Sequence, residues 1–273
     1  MFCKNIFILL HIKKKKEVNM GKIVAIGGGE IGRPKEEGRG HYPVETTPID
    51  KEILRLTGKD KPSLLFLPTA SGDSKGYYEV VKKHFTKIGF ETSVLYLFKE
   101  KNYDFIRKKI LESDAVYVGG GNTLRMMKLW RRRGVDKILK EAYDKNIVLS
   151  GLSAGSICWF KYGNSDSRKF SSNSTELIKV KGLGFINAFH CPHYNLQGIR
   201  RNSVKKMMSE TTLAGITLDN CIALVVEGDE YRIVKSKKDA KAYKVYWKSG
   251  EYYEEEIKPK KEYENLKSLL KIK

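Results

Sequence analysis

The stretch Ile147-Val-Leu-Ser-Gly-Leu-Ser-Ala-Gly155 decides the fold, because a short apolar strand runs directly into a G-x-S-x-G motif. Ile147–Ser150 is typical of a buried strand, and Ser156–Phe160 is compatible with a helix. A serine at so tight a reversal needs small neighbours, since its backbone is strained, and the following amide of Ala154 then points toward a developing oxyanion. The same letters also occur in ordinary glycine turns, but the strand before them and the helix after them favour a nucleophile at Ser153.

Apolar runs of strand length recur before this motif and alternate with helical patterns. Strands are predicted at Lys22–Ile26, Ser63–Pro68, Glu91–Leu97 and Ala115–Val118. Helices are predicted at Tyr77–Ile88, Tyr103–Leu111 and Thr123–Asp144, the last with a break near Gly134. This alternation predicts the α/β class, with a mostly parallel, doubly wound sheet and helices on both faces.

The last part of the chain is rich in β-forming residues and carries two hairpin signals, Gly228-Asp229 and Ser249-Gly250. The strands that flank them are Ile222–Val226, Tyr231–Lys235, Ala242–Trp247 and Glu251–Ile257. We expect both hairpins to complete one edge of the same sheet. No repeat or linker divides the chain, so residues 20–273 are predicted to form a single domain.

Residues 1–19 resemble neither a signal peptide nor a part of the domain. The apolar stretch Ile6–Ile12 is followed, not preceded, by the lysine run, and no small-residue cleavage site appears. Met20 and Gly21 stand just before the first predicted strand, Lys22–Ile26. We therefore expect residues 1–19 to be a disordered or non-native extension.

Composition excludes several classes of protein. With 273 residues, 41% of them hydrophobic and 31% charged, the chain is globular, and no apolar run approaches the length of a membrane helix, about 20 residues. The four cysteines show no CxxC spacing, which predicts reduced thiols, a cytoplasmic protein and no zinc site. The net charge of +20 is spread along the chain without an RRM, KH or zinc-finger pattern, so we expect a solvated basic surface and no nucleic-acid partner.

A second glycine-rich segment, Gly119-Gly-Gly-Asn-Thr123, follows the strand Ala115–Val118. The carboxyl ends of parallel strands line the active crevice of an α/β sheet, and consecutive glycines let backbone amides approach a ligand oxygen. A glycine turn capped by Asn122 or Thr123 is the structural alternative.

A serine nucleophile needs a base, and His193 is the natural candidate because Pro192 fixes the backbone just before it. His190 is its competitor, whereas His41 lies in a polar loop and His84 on a helix predicted to be at the surface. Asp166 and Asp219 are the acidic residues placed to orient the imidazole. The residues alone do not choose between these two acids, either of which would also serve as a loop cap.

Two other patterns point to different chemistry and are set aside. Gly27–Gly32 satisfies G-x-G-x-x-G after a strand, but Pro34 and later glycines stand where a dinucleotide-binding fold requires a helix, so no NAD is expected. Cys158 and Cys191 lie near the predicted site, but their positions favour packing over a nucleophilic thiol.

Taken together, the segments Val118–Thr123, Gly151–Gly155 and Pro192–Tyr194, with Asp166, resemble the peptidase E family of aspartyl dipeptidases and its cyanophycinase-like relatives. The resemblance covers about residues 21–235. It implies a fold like that of class I glutamine amidotransferases, with serine where those enzymes carry cysteine, and hydrolysis of small peptides without metal or cofactor.

The same resemblance implies roles for individual residues. Ser153 would be the nucleophile and His193 the base, with Gly120, Gly121 and Ala154 around the oxyanion and Asn122 near the substrate. Asp166 matches a family aspartate. The family's third catalytic residue is a glutamate at the position of Asn220, so the adjacent Asp219 is the acid expected here. Arg200 or Arg201, the latter preferred, would recognise an acidic N-terminal residue.

The expected activity is therefore that of a serine-type dipeptidase. Two alternatives are a related hydrolase acting on another acidic substrate and a non-catalytic binding protein with the same fold. The expected partner is a small peptide, with neither nucleic acid nor membrane, and a homodimer is left open.

Overall fold

Two β-sheets form the framework of the chain in the computed structural model, which describes residues 21–272 except 37, 39 and 197. The extension predicted at residues 1–19 lies outside the described residues. The strands are β1 (Lys22–Ile26), β2 (Ser63–Leu67), β3 (Glu91–Val94), β4 (Ala115–Val118), β5 (Val148–Leu152), β6 (Phe160–Ser165), β7 (Ile178–Lys181), β8 (Ile186–Cys191), β9 (Gly215–Leu218), β10 (Ile222–Glu227), β11 (Glu230–Lys235), β12 (Ala242–Lys248), β13 (Glu251–Glu256) and β14 (Glu264–Asn265).

The helices match the predicted ones where a 3.6-residue pattern was visible, with small shifts at the ends. They are α1 (Thr47–Thr57), α2 (Lys75–Lys87), α3 (Tyr103–Leu111), α4 (Thr123–Arg133), α5 (Val135–Asp144), α6 (Ala154–Ile157), α7 (Lys169–Ser172), α8 (Gly198–Met208) and α9 (Leu266–Leu270), with a 3-10 turn at Thr69–Ser71. The predicted break near Gly134 is confirmed: this residue has φ 69°, ends α4 and precedes α5. No described helix has the length and apolar character that crossing a membrane requires.

The first sheet has the order β14-β11-β10-β1-β5-β4-β2-β3. Its five strands β1, β5, β4, β2 and β3 run parallel. Alternate residues of each strand pack on opposite faces. Val24 of β1 belongs to a core with Ile53 of α1 and Phe85 of α2. Its neighbour Ile23 belongs to another core with Met127 of α4 and residues of α3 and α5. The predicted doubly wound α/β architecture is confirmed.

The second sheet was not predicted. It has the order β13-β12-β9-β8-β6-β7, with β6, β8 and β9 parallel. The first C-terminal hairpin extends the first sheet, as expected, because β10 pairs with β1. The second hairpin corrects the prediction, because β12 pairs with β9 and so lies at the edge of the second sheet.

Candidate active site

The carboxyl ends of three parallel strands meet at one edge of the first sheet. Ile26 is paired with Leu152, and Val118 with Gly151, so β1, β5 and β4 end nearly level. The residues that follow these strands, among them Ser153, therefore lie side by side. The Ser153 amide donates to the carbonyl of Ile26 at 3.1 Å, which fixes the turn to the neighbouring strand.

Ser153 has a strained backbone, with φ 58° and ψ −113°, between β5 and the short helix α6. A non-glycine residue adopts such angles only when its surroundings enforce them, and functional sites are where this strain is usually found. Packing enforces the turn here, since a Cβ atom on Gly155 would lie 2.7 Å from the carbonyl carbon of Val118. The local geometry is that of the predicted nucleophile elbow.

The second sheet carries the predicted base to the same edge. His193 follows β8 and Asn220 follows β9, and these two strands are parallel neighbours. His193 also has a positive φ of 53°, and its amide donates to the carbonyl of Gly27 at 3.0 Å. The site therefore lies between the two sheets, with the serine on one and the histidine on the other.

The imidazole of His193 connects the two sides of this site. Its Nε2 lies 2.8 Å from Ser153 Oγ, and its Nδ1 lies 2.6 Å from Asn220 Oδ1. An amide oxygen only accepts hydrogen bonds, so Nδ1 carries the ring proton and Nε2 presents its lone pair to the serine hydroxyl. This is the tautomer that a general base acting on Ser153 needs.

Burial lowers the pKa of His193, and the positive charge of Arg200 lowers it further. The hydrogen bond that Nδ1 donates to Asn220 and the charge of Asp166 oppose this shift. The net effect keeps the imidazole neutral, and able to accept a proton, at pH values where an ordinary histidine is already charged.

Neither acidic candidate occupies the position behind the imidazole. Asp219 accepts a hydrogen bond from the amide of Lys241 at 3.0 Å, and burial raises its pKa. Asp166 lies 3.4 Å from the guanidinium of Arg200. The group that contacts His193 Nδ1 is the neutral amide of Asn220, the neighbour of the residue that sequence analysis selected.

The competing histidines are used elsewhere. His190 is fully buried, stacks on Phe160 at 4.3 Å, and uses its two nitrogens on Ser156 Oγ and the carbonyl of Ile216. Burial lowers its pKa to about 3, so it stays neutral. His84, expected at the surface, is instead buried and lies 2.7 Å from Asp50.

Of the three residues predicted around an oxyanion, Ala154 follows Ser153 directly and Gly120 adjoins it, since a Cβ atom on Gly120 would lie 3.4 Å from Cβ of Ser153. No described residue accepts a hydrogen bond from the amides of Gly121 and Ala154. The amide of Gly120, by contrast, donates to the hydroxyl of Tyr77 at 3.2 Å.

The glycine-rich segment after β1 supports the histidine. A Cβ atom on Gly28 would lie 2.5 Å from Cε1 of His193, and closer still to its Nδ1 and to Asn220 Oδ1. The amide of Cys221 donates to the carbonyl of Gly28 at 2.8 Å. The segment Gly27–Gly32, which matches a dinucleotide-binding motif, therefore packs against the His193–Asn220 pair. Gly28 and Asn220 are the residues of the site that sequence analysis did not select.

Two cavities flank the histidine. One, of about 390 Å³, is lined by Ser153, His193, Tyr77, Glu30 and Arg33, among others. The other, of about 420 Å³, is lined by His193 together with charged and apolar side chains. These include Asp166, Lys169, Leu196, Ile199 and Arg200. His193 therefore lies between two preformed pockets, one of which also contains Ser153.

The predicted substrate-binding residues lie in different settings. Arg200 lines the second cavity but is only 7% exposed and donates to Asn164 and Asp166. Arg201 instead pairs with Glu254 and stacks on tyrosine rings. The side-chain oxygen of Asn122 caps α4 and its nitrogen donates to the carbonyl of Ser167, so both ends of the amide are bonded within the protein.

The described residues hold no cluster of histidine, cysteine and acidic side chains suited to a metal ion. Cys158 and Cys191 are buried free thiols whose pKa burial raises, to about 12 for Cys191. Neither lines the cavities beside His193.

Known proteins resemble this chain over most of its length. It matches peptidase family S51 over residues 38–234. It is 36% identical over 228 residues to the uncharacterized peptidase YgaJ of Bacillus subtilis, which covers 83% of this chain and 92% of that protein. It is 27% identical over 179 residues to the uncharacterized peptidase Lin0382 of Listeria innocua, covering 64% of this chain and 84% of that one.

Two solved structures share the fold. A peptidase from an acI-B1 actinobacterium gives a TM-score of 0.67 at 18% identity, covering 91% of this chain and 98% of that one. A putative peptidase E protein from Listeria monocytogenes gives 0.59 at 19% identity, covering 79% and 98%. At these identities the likeness concerns the fold alone.

Fold and site together define an α/β protein with a serine on a strained strand-to-helix turn and a histidine beside it. The chain belongs to peptidase family S51, the peptidase E family, and is a peptidase. The family resemblance noted in the sequence is confirmed.

Proposed function

We propose that this peptidase is a serine-type dipeptidase that cleaves short peptides through an acyl-enzyme on Ser153. The observation that carries the proposal is the chain of two hydrogen bonds from Ser153 Oγ through His193 to Asn220, 2.8 and 2.6 Å long, at a strained elbow. A nucleophile, its base and a group that orients the base are the parts that acyl transfer requires.

In the proposed reaction His193 Nε2 takes the Ser153 proton while Oγ attacks the carbonyl carbon of the peptide bond. The amides of Gly121 and Ala154 donate to the oxyanion of the tetrahedral intermediate. When this intermediate collapses, the C–N bond breaks and His193 gives its proton to the leaving amine. Water, deprotonated by the same histidine, then attacks the ester and releases Ser153.

In this mechanism the group that orients His193 is the neutral amide of Asn220 and not a carboxylate. Its amide holds the correct tautomer but supplies no negative charge to stabilise the imidazolium that forms during attack. The negative charge of Asp166 raises the pKa of His193, but Asp166 makes no hydrogen bond to the ring. Asn220 is proposed as a positioning residue.

The cavities support a small substrate. Volumes of about 390 and 420 Å³ lie at the lower end of the range for small-ligand pockets. A preference for an N-terminal aspartate would rest on Arg200 and Lys169 in the second cavity, because Arg201 is paired with Glu254. A cytoplasmic location is part of the same proposal, and it is supported by the free, buried thiols of Cys158, Cys191 and Cys221.

The test combines covalent labelling with a substrate panel. A fluorophosphonate should label the purified protein, and mass spectrometry should find the adduct on Ser153 and not on heat-denatured protein. Asp-X, Arg-X and neutral dipeptides and an Asp-Arg polymer should then be compared. Asp-X cleavage supports the dipeptidase, and cleavage of the polymer alone supports the alternative hydrolase. Absence of both labelling and cleavage would support a non-catalytic binding protein.

The pH profile gives a second test. Because the pKa of His193 is lowered, the midpoint of the acid limb of the kcat/KM profile should lie below pH 6.5, the ordinary histidine value. In Asn220→Asp a carboxylate would stabilise the imidazolium and raise that pKa, moving the acid limb to higher pH by about one unit or more. Asp219→Asn is the matched control and should leave the limb in place. If Asp219→Asn moved the acid limb and Asn220→Asp did not, Asp219 would be the residue that orients His193.

A further inference from the structure

Tyr77, in the first turn of α2, is fixed beside the candidate site. Its ring packs edge-on against Phe66, with centroids 5.1 Å apart, and its amide donates to the capping side chain of Ser74 at 3.2 Å. A Cβ atom on Gly119 would lie 2.8 Å from Cε1 of Tyr77. The first glycine of the Gly119–Gly121 segment therefore makes room for this ring.

The hydroxyl of Tyr77 is positioned between the glycine segment and the cavity that holds Ser153. It accepts the hydrogen bond from the Gly120 amide, 3.2 Å long, and no described residue accepts its own hydrogen. The side chain lines the same cavity as Ser153 and His193. Burial raises its pKa to about 12, so the phenol remains protonated at neutral pH.

The backbone of Gly120 brings this hydroxyl close to the nucleophile. A Cβ atom on Gly120 would be in van der Waals contact with Cβ of Ser153, at 3.4 Å. The oxyanion of an acylation intermediate forms directly beside the serine oxygen. The Tyr77 hydroxyl is bonded to Gly120, which adjoins Ser153, and its side chain lines the cavity that contains Ser153. A neutral donor there is close to the place where negative charge develops.

We propose that the Tyr77 hydroxyl is a hydrogen-bond donor to the oxyanion, and that the Gly120 amide acts through it. A hydroxyl that accepts an N–H hydrogen bond is polarised and becomes a stronger donor, so the amide reinforces the phenol. The inference rests on the proposed acyl-enzyme mechanism and adds a side-chain donor to the amides of Gly121 and Ala154.

The test removes only the hydroxyl. Tyr77→Phe keeps the ring contacts with Phe66 and Gly119, so the fold should be unchanged. We expect kcat to fall roughly 100-fold with KM within about twofold, because the lost bond is made in the transition state and not to the bound substrate. Affinity for a peptide trifluoromethyl ketone, whose serine adduct carries an oxyanion, should fall by a similar factor.

Tyr78→Phe is the matched control. Tyr78 also packs on Phe66, but its hydroxyl donates to the carbonyl of Thr92 at 3.3 Å and does not line the cavity. This variant should retain activity. Equal turnover of Tyr77→Phe and an active wild type would overturn the proposal, as would equal losses in both variants with lowered melting temperatures. A wild type that neither cleaves peptides nor reacts with fluorophosphonate would overturn the proposed function and this inference together.

Discussion

Replacing Ser153 by alanine should lower kcat by roughly 10,000-fold or more while leaving the melting temperature nearly unchanged. The backbone strain at φ 58° is the same for alanine as for serine, since both carry a Cβ atom, so the substitution adds no new strain. The hydroxyl's contact is the bond to His193 Nε2, which serves chemistry and contributes little to packing. Steady-state kinetics with the best dipeptide of the panel and thermal unfolding measure the two quantities.

His193→Ala and the double variant sharpen this prediction. Residues that act as one unit lose their contribution together, so each single variant and the double variant should show about the same residual rate. Ser268→Ala, an exposed serine of α9, is the control and should behave as wild type. Losses that multiply in the double variant would mean that Ser153 and His193 act independently, and the acyl-enzyme mechanism would then be wrong.

The first sheet could be predicted because its strands are short apolar runs separated by amphipathic helices. The second sheet could not, since β6 and β7 carry Lys161, Asn164 and Lys179 among few apolar residues. Its other edge is completed by β12, which skips β10 and β11 in the chain to pair with β9. Hydrophobic periodicity and composition predict whether a segment is buried, whereas the partners of a strand depend on the path of the whole chain. For the same reason His84, on a helix that looked exposed, proved to be buried against Asp50.

The site was predicted in part for a similar reason. Ser153 and His193 belong to residue types with recognisable chemistry and stand in restricted backbone contexts. Asn220 has no ionisable group that would mark it as a catalytic candidate. It contacts His193 because β8 and β9 are neighbours in the second sheet, and this pairing could not be predicted from the sequence. The family resemblance pointed to that position, but the search for an acid moved the prediction one residue to Asp219.

Gly28→Ala should reduce kcat/KM by roughly 100-fold or more although residue 28 has no reactive group. The new methyl would overlap Nδ1 of His193 and Oδ1 of Asn220, so the imidazole must move away from Ser153. A displacement of about 1 Å in a general base is enough for a loss of this size. Overpacking should also destabilise the fold by about 1–3 kcal/mol, to be measured by denaturant unfolding.

Coupling with Asn220 separates this displacement from general destabilisation. If the methyl acts by breaking the His193–Asn220 bond, then Asn220→Ala and Gly28→Ala should be strongly non-additive in kcat/KM, because the second change removes a contact already lost. Gly198→Ala, on an exposed position of α8 with open space around it, should leave both activity and stability unchanged. Additive losses, or full activity in Gly28→Ala, would show that the glycine segment does not position the base.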